Sequence, residues 1–343
     1  MTIRKAIPLL WRYLLVVATS CLLALVISNA HADARVAQDF ALAGPFAVDT
    51  IDANWRDEAR KRDVPVQIHV PKVATDNKFP VVLFSHGLGG SRAGGQNWGE
   101  HWASHGYVVV HLQHAGSDEA LWKGKAPAEA VRSMKAGMTI QNLLSRVQDV
   151  HFVIDEVVRR ADARQGIFAF ADGTRIGMSG HSFGAQTTMS VVGQSSPIQR
   201  GQPGLDKRIV AGMAFSPNAR NKARLDQQFG DIRMPVMSLT GSRDGSILED
   251  NTVYQDRILP YQHMPAGDKY LLVFDGGDHM VFGGHVLGGR RPETARDREI
   301  QRHVKAATTA FWDATLKGNA QARQWLREEF KLTLLSADTF EWK

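Results

Sequence analysis

Apolar residues along the chain fall into three patterns, and each predicts a different element. Short unbroken apolar runs at 80–85, 107–112, 176–178, 209–215, 235–240 and 270–274 predict strands buried on both faces, since alternation is needed only where one face meets water. Residues 64–70 do alternate, which predicts a half-buried strand. Between the runs the spacing turns helical. After Leu143, the residues Val147, Val150, Ile154 and Val157 share one helix face, which ends near Arg159, Arg160 and Gly166. A last long helix carries Ile300, Val304, Ala307, Phe311 and Ala314 on one face, with Pro292 near its start and Gly318 at its end. Shorter helices are expected over 97–104 and from 185 to 192, while residues 33–62 show no clear period. Strands alternating with helices predict an α/β fold with a mostly parallel central sheet and helices on both faces. No repeat, low-complexity tract or linker divides residues 33–343, so they read as one domain, with 115–138 as a short cap insertion.

The first 32 residues follow other rules. Arg4, Lys5 and Arg12 precede an apolar run at 13–27, and Ala30-His31-Ala32 places small residues at both cleavage-determining positions. This is the pattern of a secretory signal peptide, with an apolar run short for a bilayer span. It predicts an exported protein, periplasmic or extracellular, with no stable membrane insertion once the signal is removed. Cys21, the only cysteine, lies inside that segment. Residues 33–343 therefore hold no disulfide, no cysteine nucleophile and no thiolate metal site. A chain of 343 residues with 43% hydrophobic content can rest on its core alone. The formal charge of +6 falls to +3 without the three basic residues of the signal, so nothing asks for nucleic acid as a partner. No motif calls for a cofactor or a metal, and the oligomeric state is not set by the sequence.

The most informative stretch is Gly180-His181-Ser182-Phe183-Gly184, lying between a predicted strand and a predicted helix. A G-x-S-x-G in that context is a nucleophile elbow. Ser182 must occupy a strained turn, and side chains at 180 and 184 would collide with neighbouring backbone. The helix that follows aims free N–H groups and a positive dipole end at an oxyanion forming beside Ser182. Acyl transfer to serine also needs a base, and an acid to orient that base. In the chain order serine, acid, histidine, Asp244 follows the run at 235–240 and His279 follows the run at 270–274. Both would stand at strand carboxyl ends, where open parallel sheets gather ligands. Asp250, Asp275 and Asp278 compete as the acid, and His285 competes as the base. The oxyanion hole is expected from the N–H groups of Phe183 and Leu88, the latter in the glycine-rich loop His86-Gly87-Leu88-Gly89-Gly90. Ile247, Met280 and Phe282 are the pocket-wall candidates. His101, His105, His111 and His114 crowd a short stretch, but no third ligand visibly converges on them and the metal reading is set aside. Trp98, Trp102 and Trp122 are expected in the core or its cover. The cap mixes Lys123, Lys125, Glu129, Arg132 and Lys135 with few large apolar residues, which favours small soluble esters over bulk lipid.

The residues Ser85-His86-Gly87-Leu88-Gly89-Gly90-Ser91, Ser104-His105-Gly106-Tyr107, the elbow, Gly241-Ser242-Arg243-Asp244 and Gly277-Asp278-His279 resemble the α/β-hydrolase superfamily. Within it they resemble the branch of predicted dienelactone hydrolases and platelet-activating-factor acetylhydrolase-like esterases, over roughly 64–317. The resemblance implies an α/β-hydrolase fold and maps Ser182, Asp244 and His279 onto the family's triad. True dienelactone hydrolases use cysteine, so Ser182 departs from them. Secreted polyester hydrolases are similar too, but carry tryptophan at the position of His181 and a disulfide absent here. The expected activity is carboxylic-ester hydrolysis by a serine enzyme on a small-molecule ester. A lipid-directed esterase is the alternative, and a catalytically silent hydrolase fold used for binding is the rival from another class.

Overall fold

The computed structural model describes residues 39–73, 77–195, 204–219, 222–245, 252–284 and 292–343. The expected signal peptide, and the candidates Ile247, Asp250 and His285, lie outside the described residues. The described strands are β1 (Val48–Asp57), β2 (Arg62–Pro71), β3 (Phe79–Ser85), β4 (Val108–Leu112), β5 (Ala171–His181), β6 (Ile209–Phe215), β7 (Val236–Arg243), β8 (Lys269–Asp278) and β9 (Thr339–Trp342). They form one sheet in the order β1-β2-β4-β3-β5-β6-β7-β8-β9. The six strands from β4 to β8 in that order run parallel, and antiparallel pairs flank them: β2 on β4, β1 on β2 and β9 on β8. The principal helices are α1 (Gln96–Ser104), α2 (Pro127–Gly137), α3 (Ile140–Asp162), α4 (Phe183–Val191), α5 (Tyr254–His263) and α6 (Ala295–Leu316). Residues Phe40–Lys343 form one compact unit.

The unbroken apolar runs explain the layering. Successive side chains of a strand point to opposite faces, so β3 sends Val81 and Leu83 into one core and Val82 and Phe84 into the other. The first core is closed by α3 and α4 through Val150, Ile154, Val157, Ala185 and Met189. The second is closed by α1 and α6 through Trp98, Trp102, Ile300, Val304, Phe311 and Trp312. Gly177 of β5 lies under the indole of Trp312, where a Cβ would come within 2.7 Å of the ring. Each half-helix pattern read from the sequence thus meets its own face of the sheet. The long helices are also capped as their ends require: the Thr139 hydroxyl accepts the Asn142 N–H at the start of α3, and Thr294 with Asp297 forms a reciprocal capping box on α6.

Two strands depart from the sequence reading. β1 falls in the segment that showed no clear period, because the face that carries Ile51, Ala53 and Trp55 also carries Asp49 and Asp57, so its apolar alternation is only three residues long. β9 is a four-residue edge strand, too short to give a pattern. Between β4 and α3, the segment expected as a cap contains a single 3-10 turn at Glu119–Leu121 and helix α2.

The chain leaves β3 for β4 on one side and crosses back to β5 on the other. The strand order therefore reverses between β3 and β5, and the crevice at their carboxyl ends is where such sheets bind ligands. The loop at 86–90 and Ser182 both emerge there.

Candidate active site

β5 ends at His181 and α4 begins at Phe183, leaving Ser182 alone at the junction with φ 57° and ψ −114°. A left-handed non-glycine residue in so tight a turn costs roughly 1–3 kcal/mol and persists only where its surroundings hold it. The holding is visible. The Ser182 N–H donates to the Phe215 carbonyl at 2.9 Å, and the Ser182 carbonyl accepts from the Gln186 N–H at 3.2 Å. A Cβ on Gly184 would lie within 2.6 Å of the Ser85 carbonyl carbon and nearer still to its oxygen. A Cβ on Gly180 would press on the Gly184 carbonyl and come within 2.9 Å of the Ser85 oxygen. Both elbow glycines are therefore required because β3, the turn and α4 touch backbone to backbone.

The hydroxyl of Ser182 donates to Nε2 of His279 at 2.9 Å, and Nδ1–H of His279 donates to Oδ1 of Asp244 at 2.7 Å. The carboxylate can only accept, so it fixes the proton on Nδ1 and leaves Nε2 as the acceptor facing the serine. Asp244 follows β7, and His279 follows β8. Asp244 is fully buried, whereas the His279 ring keeps 14% of its surface in solvent. The second carboxylate oxygen accepts the Ser216 hydroxyl at 2.6 Å and the Thr240 hydroxyl at 2.8 Å. Arg257 of α5 points Nε at Oδ1 at 2.8 Å and also at the Asp244 carbonyl at 2.6 Å. Its Nη1 holds the Ser216 carbonyl at 2.9 Å. Burial alone would raise the Asp244 pKa, but the bonds from His279 and Ser216 and the charge of Arg257 hold it below the usual carboxylate value.

His181 holds His279 through the backbone. Its Nε2 donates to the His279 carbonyl at 2.9 Å, with the two rings 4.6 Å apart. Burial first, and then the neighbouring imidazole, lower the His181 pKa to about 3, so it stays neutral. Sequence reasoning missed Ser216, Thr240, Arg257 and the role of His181. Only His181 carried a signal, being inside the elbow motif.

The glycine-rich loop after β3 lies beside Ser182. A Cβ on Gly87 would sit 3.3 Å from Nδ1 of His181 and 3.5 Å from Cβ of Ser182. Leu88, next along, is half-buried. Phe183 opens α4, so its N–H is among the first-turn donors that a helix leaves without an internal acceptor. The cap covers this loop from outside: Trp122 Nε1–H donates to the Gly89 carbonyl at 2.6 Å, and a Cβ on Gly89 would press on the Met134 sulfur of α2 at 2.5 Å. Trp122 is 45% exposed and is cover, whereas Trp98 and Trp102 are fully buried core.

The other candidates sort cleanly. Met280 is half-buried beside His279, and its N–H is held by Asp278 Oδ1 at 3.0 Å. Phe282 was expected on the pocket wall, but it is fully buried against Phe274 with its carbonyl taken by Trp98 Nε1–H, so its ring offers no surface to a substrate. The apolar ring was driven inward by the second core. Asp275 is exposed and accepts the Ser242 hydroxyl, and Asp278 caps the turn at 280–281. Among the crowded histidines, His101, His105 and His111 bond the carbonyls of Phe40, Leu42 and Gly94. His114 instead sits between Ser85 and Asp149, accepting the Ser85 hydroxyl on Nε2 at 2.9 Å and meeting Asp149 Oδ2 through Nδ1 at 2.9 Å.

A six-stranded parallel core flanked by helices, with an elbow serine at the point where strand order reverses, is the α/β-hydrolase fold. Residues 60–124 match the family described as platelet-activating factor acetylhydrolase, isoform II. The platelet-activating factor acetylhydrolase of Canis lupus familiaris is 30% identical over 117 residues, covering 34% of this chain and 23% of that protein. Both matches support the acetylhydrolase-like esterase branch of the superfamily. The family match spans β2 to the cap and includes Leu88, whereas Ser182, Asp244 and His279 lie beyond it. No described helix is long and apolar enough to cross a membrane.

Proposed function

We propose that the chain is an exported serine carboxylic-ester hydrolase that works through an acyl-enzyme on small to medium esters. The observation that carries this reading is the continuous hydrogen-bond relay from Ser182 through His279 to the buried Asp244. Ser182 Oγ attacks the ester carbonyl carbon as its proton passes to Nε2 of His279. The N–H groups of Leu88 and Phe183 receive the carbonyl oxygen as it gains negative charge. Nε2–H then protonates the departing alkoxide, leaving the acyl group on Ser182. Water attacks that acyl-enzyme with the same histidine as base, and the carboxylic acid leaves as Ser182 regains its proton. Throughout, Asp244 stabilises the imidazolium, and Arg257, Ser216 and Thr240 keep Asp244 in place.

The sequence match to platelet-activating factor acetylhydrolase favours one second reading, a lipid-directed enzyme that removes a short acyl group from a phospholipid. The half-buried Met280 beside His279 is compatible with either substrate. Labelling by a fluorophosphonate probe, lost in Ser182→Ala, tests the common claim; a folded wild type that resists the probe leaves only a binding role. Turnover of nitrophenyl esters of rising acyl length, beside a phospholipid with a short second acyl chain, then separates the two readings. A short-chain optimum without activation at an interface supports the first. Preference for the aggregated phospholipid supports the second.

A further inference from the structure

We propose that Arg146 of α3 is a positioning residue for the oxyanion hole, orienting the Leu88 and Phe183 segments from behind; this rests on the reading above. Arg146 is fully buried. Its Nη1 donates to the His86 carbonyl at 2.7 Å and to the Ser85 hydroxyl at 3.3 Å, and its Nε donates to the Ser117 hydroxyl at 2.8 Å. Its Nη2 reaches the Gly87 carbonyl at 3.5 Å, and its guanidinium carbon stands 4.5 Å over the Phe183 ring. One side chain therefore grips both segments that would supply oxyanion donors.

The consequence for Leu88 follows from peptide geometry. The Gly87 carbonyl and the Leu88 N–H belong to one planar trans unit, so they point in opposite directions. The Gly87 carbonyl takes the Gly90 N–H at 3.0 Å, His86 Nδ1 at 2.6 Å and the longer contact from Arg146. His86 Nε2 accepts the His114 N–H, which puts the ring proton on Nδ1 and makes it a donor to that carbonyl. Arg146 Nη2 lies 3.2 Å from the same Nδ1, so both groups aim their protons at the Gly87 oxygen and not at each other. Donors gathered on the carbonyl turn the Leu88 N–H away from Arg146. They also polarise the peptide, and polarised hydrogen bonds reinforce one another in a low-dielectric interior.

The support behind Arg146 is itself fixed. Ser85 donates to His114, His114 donates to Asp149, and Asp149 is held by Arg62 at 2.8 Å. Asp149 and Asp118 act on Arg146 only through space, while its hydrogen bonds go to carbonyls and serine hydroxyls and its face lies over the Phe183 ring.

The test uses the full chain with Arg146→Lys, Arg146→Gln and Ser117→Ala, each checked for folding by circular dichroism. Two readouts are compared: hydrolysis of 4-nitrophenyl acetate, and inhibition by a trifluoromethyl ketone whose carbonyl carbon bonds to Ser182 Oγ and leaves an oxyanion in the hole. Losing one oxyanion donor outright lowers kcat by about 100- to 1000-fold, so losing its orientation is expected to cost about tenfold or more in Arg146→Gln. The order of kcat is expected to be wild type, Ser117→Ala, Arg146→Lys, Arg146→Gln. KM stays constant, and ketone affinity falls by the same factors. A purely structural role predicts less folded enzyme with unchanged kcat per active site. Wild-type kcat in a folded Arg146 variant, or a fall in kcat without a matching fall in ketone affinity, overturns the proposal. If neither Arg146 variant folds, Ser117→Ala decides by the same criterion. A wild type with no esterase activity and no fluorophosphonate labelling sinks the parent reading instead.

Discussion

Asp244→Asn tests the relay at its most deeply buried member. Four donors converge on the carboxylate: His279 Nδ1, Arg257 Nε, and the hydroxyls of Ser216 and Thr240. An asparagine puts an NH2 in place of one carboxylate oxygen, and either way round the negative charge beside the imidazole is gone. On the Oδ2 side the Ser216 and Thr240 hydroxyls can turn to accept from it, whereas on the Oδ1 side it meets a neighbour that must surrender a proton. His279 can do so by moving its proton from Nδ1 to Nε2, which then faces Ser182 and cannot act as a base. The same change in the chymotrypsin-type triad lowers kcat about 10⁴-fold, equivalent to about 5.5 kcal/mol of barrier. A loss of that order is expected here. The change also removes the charge of Asp244 from its pair with the buried Arg257, and breaking a buried pair from one side costs about 3–5 kcal/mol of stability. The assay is therefore steady-state hydrolysis of 4-nitrophenyl acetate well below the melting temperature, with thermal unfolding followed in parallel. Asp275→Asn and Asp278→Asn serve as controls, since Asp275 accepts the Ser242 hydroxyl and Asp278 the N–H groups of Met280 and Val281, and both are expected to keep activity. A folded Asp244→Asn protein within tenfold of wild-type kcat would refute the assignment of the acid.

Two further expectations concern stability. Burial holds His114 at a pKa of about 4 and His181 at about 3, with His86 also well below its ordinary value. The folded values lie below the unfolded one, so between pH 6.5 and about 4 the unfolded chain binds more protons. Stability is complete above pH 6.5 and falls with pH below it, by about 1.4 kcal/mol per unit for each such residue. Denaturant melts at pH 7, 6 and 5 check this; a flat profile would contradict the neutral imidazoles. Gly184→Ala drives a methyl into the Ser85 carbonyl, and overpacking of this kind costs about 1–3 kcal/mol. It is expected to lower the melting temperature and to abolish fluorophosphonate labelling; a variant as stable and as reactive as wild type would mean that the elbow is looser than described.

The fold was legible wherever burial imposed a pattern. The runs at 80–85, 209–215 and 270–274 became β3, β6 and β8 because strands covered on both faces must be apolar throughout. β1 escaped because its apolar face holds only Ile51, Ala53 and Trp55 between Asp49 and Asp57, too short an alternation to stand out. The three relay residues were legible because chain order and strand ends locate them, and the structure brings Ser182, His279 and Asp244 into contact. Phe282 misled because a ring three residues after His279 can face either rim or core, and sequence does not give the direction. Arg257 and Arg146 left no trace at all: a lone arginine on a helix reads as solvated, and only the fold shows carbonyls waiting for it.

The molecule contains the same chain of serine, histidine and aspartate hydrogen bonds twice. Ser85, His114 and Asp149 repeat the spacing of Ser182, His279 and Asp244 to within a few tenths of an ångström, yet all three are sealed from water. What separates the proposed nucleophile from its buried counterpart is the left-handed turn at Ser182, while Ser85 ends a strand inside the protein.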